Sequence, residues 1–349
     1  MSHGSAAVVD RQLEGLSHRR SQICFRNSAW DCRGHDEAAI QGVETTVTIG
    51  NESETQETSV ATSPASADTR STIRTSRSDI PSMDSPDQAI VYTIDRGPRG
   101  QVVVVGDGSA LAHAAAERFA RATEEAVTAR GQAFVALSGG STPKQMGTIL
   151  TREPYRSHIP WDRVHVFWGD ERWVPLGSPE SNAGEARRGF LDLVPIPPGN
   201  VHPWDTEAET PEAAAAAYER LLRDVFNEPT AIPRFDLVLL GMGDDGHTAS
   251  LFPQTRALAE RGDRLAVANF VPKLDAARLT LTAPVLNAGR EILFLVGGPG
   301  KADTIESVLD GPEMPTSLPA QMIRPAHQDS TLRWLVDEDA AAKLSRWAP

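Results

Sequence analysis

From Ile90 onward the chain alternates short apolar runs with longer stretches of helical spacing, and this alternation restricts the fold more than any other feature of the sequence. The runs at 102–105, 134–137, 164–168, 235–240, 265–268, 279–281, 292–296 and 332–336 are rich in Val, Leu and Phe, the composition of strands covered on both faces. Between them, 109–130, 143–151, 182–191, 211–226, 301–309 and 337–347 have the spacing or composition of helices. Strands and helices in turn predict an α/β fold of the Rossmann-like kind. Its sheet is doubly wound and mostly parallel, and ligands are expected at the carboxyl ends of the strands.

Residues 43–87 are dominated by Ser, Thr, Glu, Gln, Asp and Ala, with too few large apolar groups to offset the chain entropy lost on folding. Residues before them show no sustained period. The expected organisation is a disordered extension over 1–88 and one folded domain over 89–349. Asp10, Glu14 and Asp31 are atypical of a transit peptide. The opening Met1-Ser2-His3-Gly4-Ser5 lacks the layout of a secretory leader, and no apolar run approaches the roughly 20 residues that span a bilayer. A cytosolic setting, away from membranes, is therefore expected. Cys24 and Cys32 both precede the domain, so no disulfide, thiolate or Cys-ligated metal is expected within it. A net charge of −13 argues against nucleic acid or an anionic membrane as partner, since either needs an extended basic face. A small anionic molecule is compatible with it, because that needs only a few cations focused in one cleft.

Three segments carry candidate chemistry. In Ala136-Leu137-Ser138-Gly139-Gly140-Ser141-Thr142-Pro143 a strand leads through small residues into a helix, with Thr142 as the expected N-cap and Pro143 as its first residue. Paired glycines admit a ligand close to the backbone, and free N–H groups at a helix start favour phosphate. An ordinary strand-to-helix turn explains the same residues. The second segment, Val166-Phe167-Trp168-Gly169-Asp170-Glu171-Arg172-Trp173, sets two acids and an arginine just past a strand. Arg172 suits a phosphate through its planar fork, although a solvated ion-pair cluster reads identically.

The third, Phe235 through Pro253, delivers a glycine-rich loop with Asp244, Asp245 and His247 to the same sheet edge. An imidazole can take a proton from water near neutral pH, and a nearby carboxylate can orient its ring. Gly241, Gly243 and Gly246 also satisfy a dinucleotide-binding spacing. Asp244 and Asp245 would oppose a pyrophosphate, and the unit comes late in the domain. Gly298-Pro299-Gly300-Lys301 fails as a Walker loop because Leu295 stands where glycine is needed and Ala302 follows the lysine. Of the four lysines, Lys273 is the favoured point-charge partner for phosphate.

Together, Ser138-Gly139-Gly140-Ser141-Thr142-Pro143, Asp170-Glu171-Arg172-Trp173-Val174-Pro175, Glu180-Ser181-Asn182 and the segment Gly243 through Pro253 resemble the motifs of 6-phosphogluconolactonases, in that order. Arg278-Leu279-Thr280-Leu281-Thr282 and Leu318-Pro319-Ala320 fall where that family places similar segments, so the resemblance covers about residues 100–347. It implies a fold shared with sugar-phosphate deaminases and ribose-phosphate isomerases, no cofactor or metal, and a role in the oxidative pentose phosphate pathway. It also implies His247 as general base and Arg172 as phosphate ligand. One departure bears on Lys273: similar proteins usually continue with prolines, where this chain has Leu274-Asp275-Ala276-Ala277.

The expected mechanism follows. Ser138, Gly139, Gly140, Ser141 and Thr142, with Arg172 and Lys273, hold the 6-phosphate of the lactone, His247 deprotonates a water, and Asp245 supports the imidazole. The expected partner is this small sugar-phosphate lactone, handled by a monomer or small homo-oligomer. An amino-sugar phosphate deaminase or aldose-phosphate isomerase is the enzymatic rival. Such deaminases continue from Asp-Gly-His into Asn-Glu-Pro and carry tyrosine after Asp-Glu, unlike Ser250-Leu251-Phe252-Pro253 and Arg172 here. A sugar-phosphate sensor without turnover is the other rival, and it would not need His247 and Asp245 together.

Overall fold

In the computed structural model the described residues are 90–262 and 264–346; the extension expected over 1–88 lies outside them. The chain runs β1 (Ile90–Asp95), β2 (Gln101–Val105), α1 (Gly108–Arg130), β3 (Ala133–Leu137), α2 (Ser141–Leu150), α3 (Tyr155–His158), β4 (Val164–Trp168), β5 (Asp170–Arg172), α4 (Asn182–Gly189) and α5 (Pro211–Phe226). It continues through β6 (Leu237–Leu240), β7 (Ala266–Val271), β8 (Ala276–Leu281), α6 (Ala283–Asn287), β9 (Glu291–Val296), α7 (Ala302–Leu309), β10 (Thr331–Asp337) and α8 (Glu338–Ala341).

Seven strands form the main sheet in the order β1-β2-β10-β9-β6-β3-β4. Only β1 runs antiparallel to its neighbour; the remaining pairings are parallel. All four residues of β6 and all six of β9 are buried, as strands covered on both faces require. Helix α1 crosses from β2 to β3 on an alanine-rich face, including Ala112, Ala114, Ala115 and Ala116, whose small side chains allow close packing on the sheet. Asp107 caps its start by accepting from Ala110 N–H at 2.8 Å, and Gly131, at φ +80°, ends it.

The chain steps outward from β3 to β4, then returns past β3 to β6 and proceeds the other way through β9 to β10. The reversal lies between β3 and β6. A crevice therefore opens at their carboxyl ends, where ligands collect in open α/β sheets. Asp236 closes the opposite end of this seam: its carboxylate accepts Phe134 N–H at 2.8 Å, and its own N–H donates to Phe134 O. Burial pushes this carboxyl up, but the Phe134 bond and the guanidiniums of Arg130 and Arg290 oppose the shift.

Several expectations need correction. The strands expected at 265–268 and 279–281 form a separate antiparallel sheet, β5-β8-β7, rather than extending the parallel one. Strand β5 is the acidic-basic triplet Asp-Glu-Arg, invisible to an apolar-run criterion, and β1 is an edge strand with mostly exposed residues. The helix expected over 337–347 shrinks to Glu338–Ala341, because β10 stays extended to Asp337, whose carboxylate then caps the short helix at Ala340 N–H. Thr142 is not the N-cap of α2. The chain turns two residues earlier at Gly140, φ +117°, which makes Thr142 the second helical residue with no side-chain cap.

The β4 flank contains a half-buried histidine pair. His165 Nδ1 and His202 Nε2 lie 3.1 Å apart, stacked between Phe134 and Phe167. Burial lowers His202 from 6.5 to about 4, aided by the charge of His165, and burial lowers His165 as well. The folded state thus binds these protons less readily than the unfolded chain, so the stabilisation is whole above pH 6.5 and is lost as pH falls toward 4. Allowing for partial exposure, acidification to pH 5 should cost about 1–2 kcal/mol at His202. Thermal unfolding should show Tm lower by roughly 3–6 °C at pH 5 than at pH 7.5 from this source, and His202→Gln should flatten that part of the dependence.

Candidate active site

Strands β3 and β6 pair through Val135–Leu237 and Ala136–Val238, which carries Ser138-Gly139 and Gly241-Met242-Gly243 out of the sheet side by side. These segments form one wall of a cleft of about 430 Å³, also lined by Asp170, Arg172, Asn182, Asp244, Asp245, His247, Lys273, Arg278 and Lys301. The size suits a small polar ligand. Six of the expected site residues therefore meet here: Ser138, Gly139, Arg172, Asp245, His247 and Lys273. Gly140, Ser141 and Thr142 lie further along the turn, where α2 begins, and do not line the cleft.

The His247 loop is folded back on itself. Gly243 N–H donates to His247 O at 2.9 Å, Gly246 N–H to Gly243 O at 3.0 Å, and Thr248 Oγ1 to Gly241 O at 2.8 Å. A Cβ on Gly243 would fall 2.0 Å from the imidazole, so only glycine lets the ring lie there. The ring stacks on Phe252 at 3.9 Å between centroids, and its Nδ1 is 2.5 Å from Asp245 Oδ1. Burial alone would raise the Asp245 carboxyl, but the hydrogen bond and charge of His247, then the ammonium of Lys273 at 3.1 Å, bring it down to about 2. An ionised carboxylate can only accept, so Nδ1 carries a proton, and in the neutral tautomer this leaves the lone pair on Nε2. Among the described residues Nε2 has no hydrogen-bond partner. A neutral ring held in this way can accept a proton at Nε2.

The opposite wall comes from the second sheet. Arg172 and Arg278 are paired residues on β5 and β8, so both guanidiniums rise from one face. Arg172 Nη1 donates to Glu180 O at 2.5 Å and Arg278 Nη1 to Ala277 O at 3.3 Å. Among the described residues no carboxylate lies within ion-pair distance of either guanidinium. Burial lowers the pKa of Arg278, and the adjacent charge of Arg172 lowers it further, a repulsion that a bound anion would relieve. Glu171 faces away from the cleft. Its carboxylate accepts the N–H groups of Asn182 and Ala183 at the start of α4, holding the Arg172 strand against that helix, while burial pushes its pKa up against those bonds.

Arg278 and Asn182 were not singled out as site residues from sequence. Arg278 sits in an Arg-Leu-Thr-Leu-Thr strand pattern whose chemistry shows only once β8 pairs with β5. Asn182 is buried over Gly139, where a Cβ would come within 1.8 Å of its Oδ1, and its Nδ2 donates to Asp170 O. Lys144 pairs instead with Glu185 outside the cleft, and Lys301 binds Asp244 Oδ1 at 2.5 Å on its rim. Among the described residues no group of three or more His, Cys, Asp or Glu is arranged to hold a metal ion, and no helix is long and apolar enough to cross a membrane.

Comparison with known proteins is consistent with this geometry. The family model for glucosamine-6-phosphate isomerases/6-phosphogluconolactonase matches residues 106–334. A 6-phosphogluconolactonase of Synechocystis is 45% identical over 222 residues, covering 63% of this chain and 88% of the relative. One from Nostoc is 39% identical over 245 residues, covering 70% and 98%. Among solved structures, the 6-phosphogluconolactonase of Trypanosoma brucei superposes with a TM-score of 0.62 at 28% identity, covering 70% of this chain and 98% of that one.

The unpaired guanidiniums predict anion binding without any reaction. Inorganic phosphate at ten times its Kd should stabilise the folded chain by about 1.4 kcal/mol, seen as a rise in Tm. Arg278→Ala and Arg172→Ala should each remove most of that rise, whereas Lys144→Ala should leave it intact.

Proposed function

Because the chain belongs to the family of glucosamine-6-phosphate isomerases and 6-phosphogluconolactonases, we propose that its cleft hydrolyses 6-phosphogluconolactone, with His247 as the base that activates water. The reaction is the opening of a lactone ester to 6-phosphogluconate in the oxidative pentose phosphate pathway. The observation that supports the base most directly is the Asp245–His247 hydrogen bond of 2.5 Å in the same cleft as the Arg172–Arg278 pair.

The chemistry divides between the two walls. Arg172 and Arg278, with Ser138 and Gly139 beside them, hold the 6-phosphate, and this places the lactone carbonyl toward His247. Nε2 of His247 takes a proton from water as the oxygen attacks the carbonyl carbon, while Asp245 keeps the ring in the Nδ1-protonated tautomer. Charge on the carbonyl oxygen is met by backbone N–H groups of the glycine turns or a rim cation. When the tetrahedral species collapses, the ring C–O bond breaks and His247 returns the proton to the leaving oxygen. Gly140, Ser141 and Thr142 act at most by shaping the turn. The setting is cytosolic, and a monomer or small homo-oligomer suffices because all these groups come from one chain.

Acid release from freshly prepared 6-phosphogluconolactone tests the assignment. His247→Ala should lower kcat by about 10²–10⁴-fold with little change in KM, and Gly243→Ala should do similarly by displacing the ring. Arg172→Ala and Arg278→Ala should chiefly raise KM, by tenfold or more for a charge-assisted contact worth about 1.5–3 kcal/mol. A full rate from His247→Ala would reject the base, and ammonia release from glucosamine 6-phosphate would replace the lactonase reading with a deaminase.

A further inference from the structure

We propose that Lys273 is a positioning residue that acts on His247 through Asp245, rather than a ligand of the substrate's phosphate. The proposal rests on the reading of His247 as general base. One carboxylate serves both neighbours: Asp245 Oδ1 meets His247 Nδ1 at 2.5 Å, and Asp245 Oδ2 meets Lys273 Nζ at 3.1 Å. With both oxygens engaged the carboxylate cannot rotate freely, so Oδ1 stays on the ring nitrogen. The lysine is delivered by the turn between β7 and β8, where Pro272–Leu274 form a short helical turn, Asp275 adopts φ +46°, and Asp275 N–H closes on Pro272 O at 3.2 Å.

The remaining charged groups of the cleft are committed elsewhere. Lys301 is bound to Asp244, and Asp170 accepts the Ser250 hydroxyl at 2.7 Å. The paired Arg172 and Arg278 already supply two cations for one phosphate on the second sheet. Lys273 alone among the cleft's cations forms an ion pair with the carboxylate that touches the imidazole.

The electrostatic consequence has a definite sign. Beside a bare carboxylate an imidazole holds its proton more tightly, and a base already protonated cannot accept one from water. An ammonium on the same carboxylate offsets part of that pull, so the imidazole stays free to work at lower pH. Removing the ammonium should move the acid limb of the kcat/KM profile toward neutrality. A phosphate ligand would behave otherwise, raising KM and leaving the limb in place.

The decisive measurement is kcat/KM, kcat and KM against pH between 5.5 and 8 on the full chain, corrected for spontaneous lactone opening. Lys273 is 70% exposed, so its replacement leaves the core untouched. Lys273→Met should shift the acid limb upward by about half to one pH unit, with kcat/KM at pH 6 reduced roughly 3–10-fold, a smaller deficit at pH 8, and KM changed less than twofold. Lys273→Arg should restore the wild-type limb. In an Asp245→Asn background, Lys273→Met should produce no further shift. An unmoved limb overturns the proposal, marking a phosphate ligand if KM rises tenfold and a solvated surface cation if KM is unchanged. Failure of the base assignment itself would show separately, as full activity of His247→Ala.

Discussion

The adjacency of β3 and β6 is the constraint on which the site depends. These strands come from opposite sides of the winding reversal, and their register places two glycine-containing turns next to each other at the carboxyl edge. Among the described residues the β3–β6 register ends at Ala136–Val238, short of the two turns. The clamp is at the other end, where Asp236 exchanges hydrogen bonds with Phe134 and draws in Arg130 and Arg290. A buried carboxylate stripped of those partners would cost several kcal/mol, so the pairing is specified strongly where no chemistry occurs. The carboxyl edge is thereby free to be shaped by glycines and polar side chains.

Charge distribution explains how an acidic protein accommodates an anion. The whole chain carries −13, yet the cleft gathers Arg172, Arg278, Lys273 and Lys301. Two of its acids, Asp244 and Asp245, are engaged by lysines, and Asp170 accepts a buried hydroxyl. Among the described residues, the pair of guanidiniums on β5 and β8 has no carboxylate at ion-pair distance. Local focusing of this kind suffices for a small phosphate ester and offers nothing to a polyanion, which needs an extended surface.

The legibility of this molecule in its sequence followed the physics of each element. Buried parallel strands such as Phe134-Val135-Ala136-Leu137 announce themselves because both faces are apolar, and the helical spacing of 211–226 matches α5. Strand β5 could not be read, since Asp-Glu-Arg forms a strand only by pairing with β8, a contact more than a hundred residues away in sequence. Loop chemistry was legible where glycine, aspartate and histidine stood within a few residues of one another, as at 243–247. Arg278 was not legible for the converse reason: its significance is its neighbour across a ladder. Lys273 was noticed as a cation, but which anion it meets is a question of three dimensions, and the structure places it on Asp245.

Because His247 lies on the loop that follows β6 of the main sheet and the two guanidiniums stand on the second sheet, their separation is set by the joints between those sheets. Leu281 N–H donates to Gly169 O at 2.8 Å, Ser250 Oγ to Asp170 Oδ2 at 2.7 Å, and Ser250 N–H to Thr280 Oγ1 at 3.3 Å. Asn269 Nδ2 adds a bond to Ser250 O at 2.8 Å from β7. These groups are buried, and none needs to touch substrate. Their contribution is positional: a displacement of about 1 Å between an anchored phosphate and a reacting carbonyl can lower a rate on the order of a hundredfold. On the proposed reading of the site, Ser250, Asp170 and Asn269 set its geometry as much as they hold the fold. The polar residues flanking His247 are accordingly better understood as the fixed distance between two walls than as additional reagents.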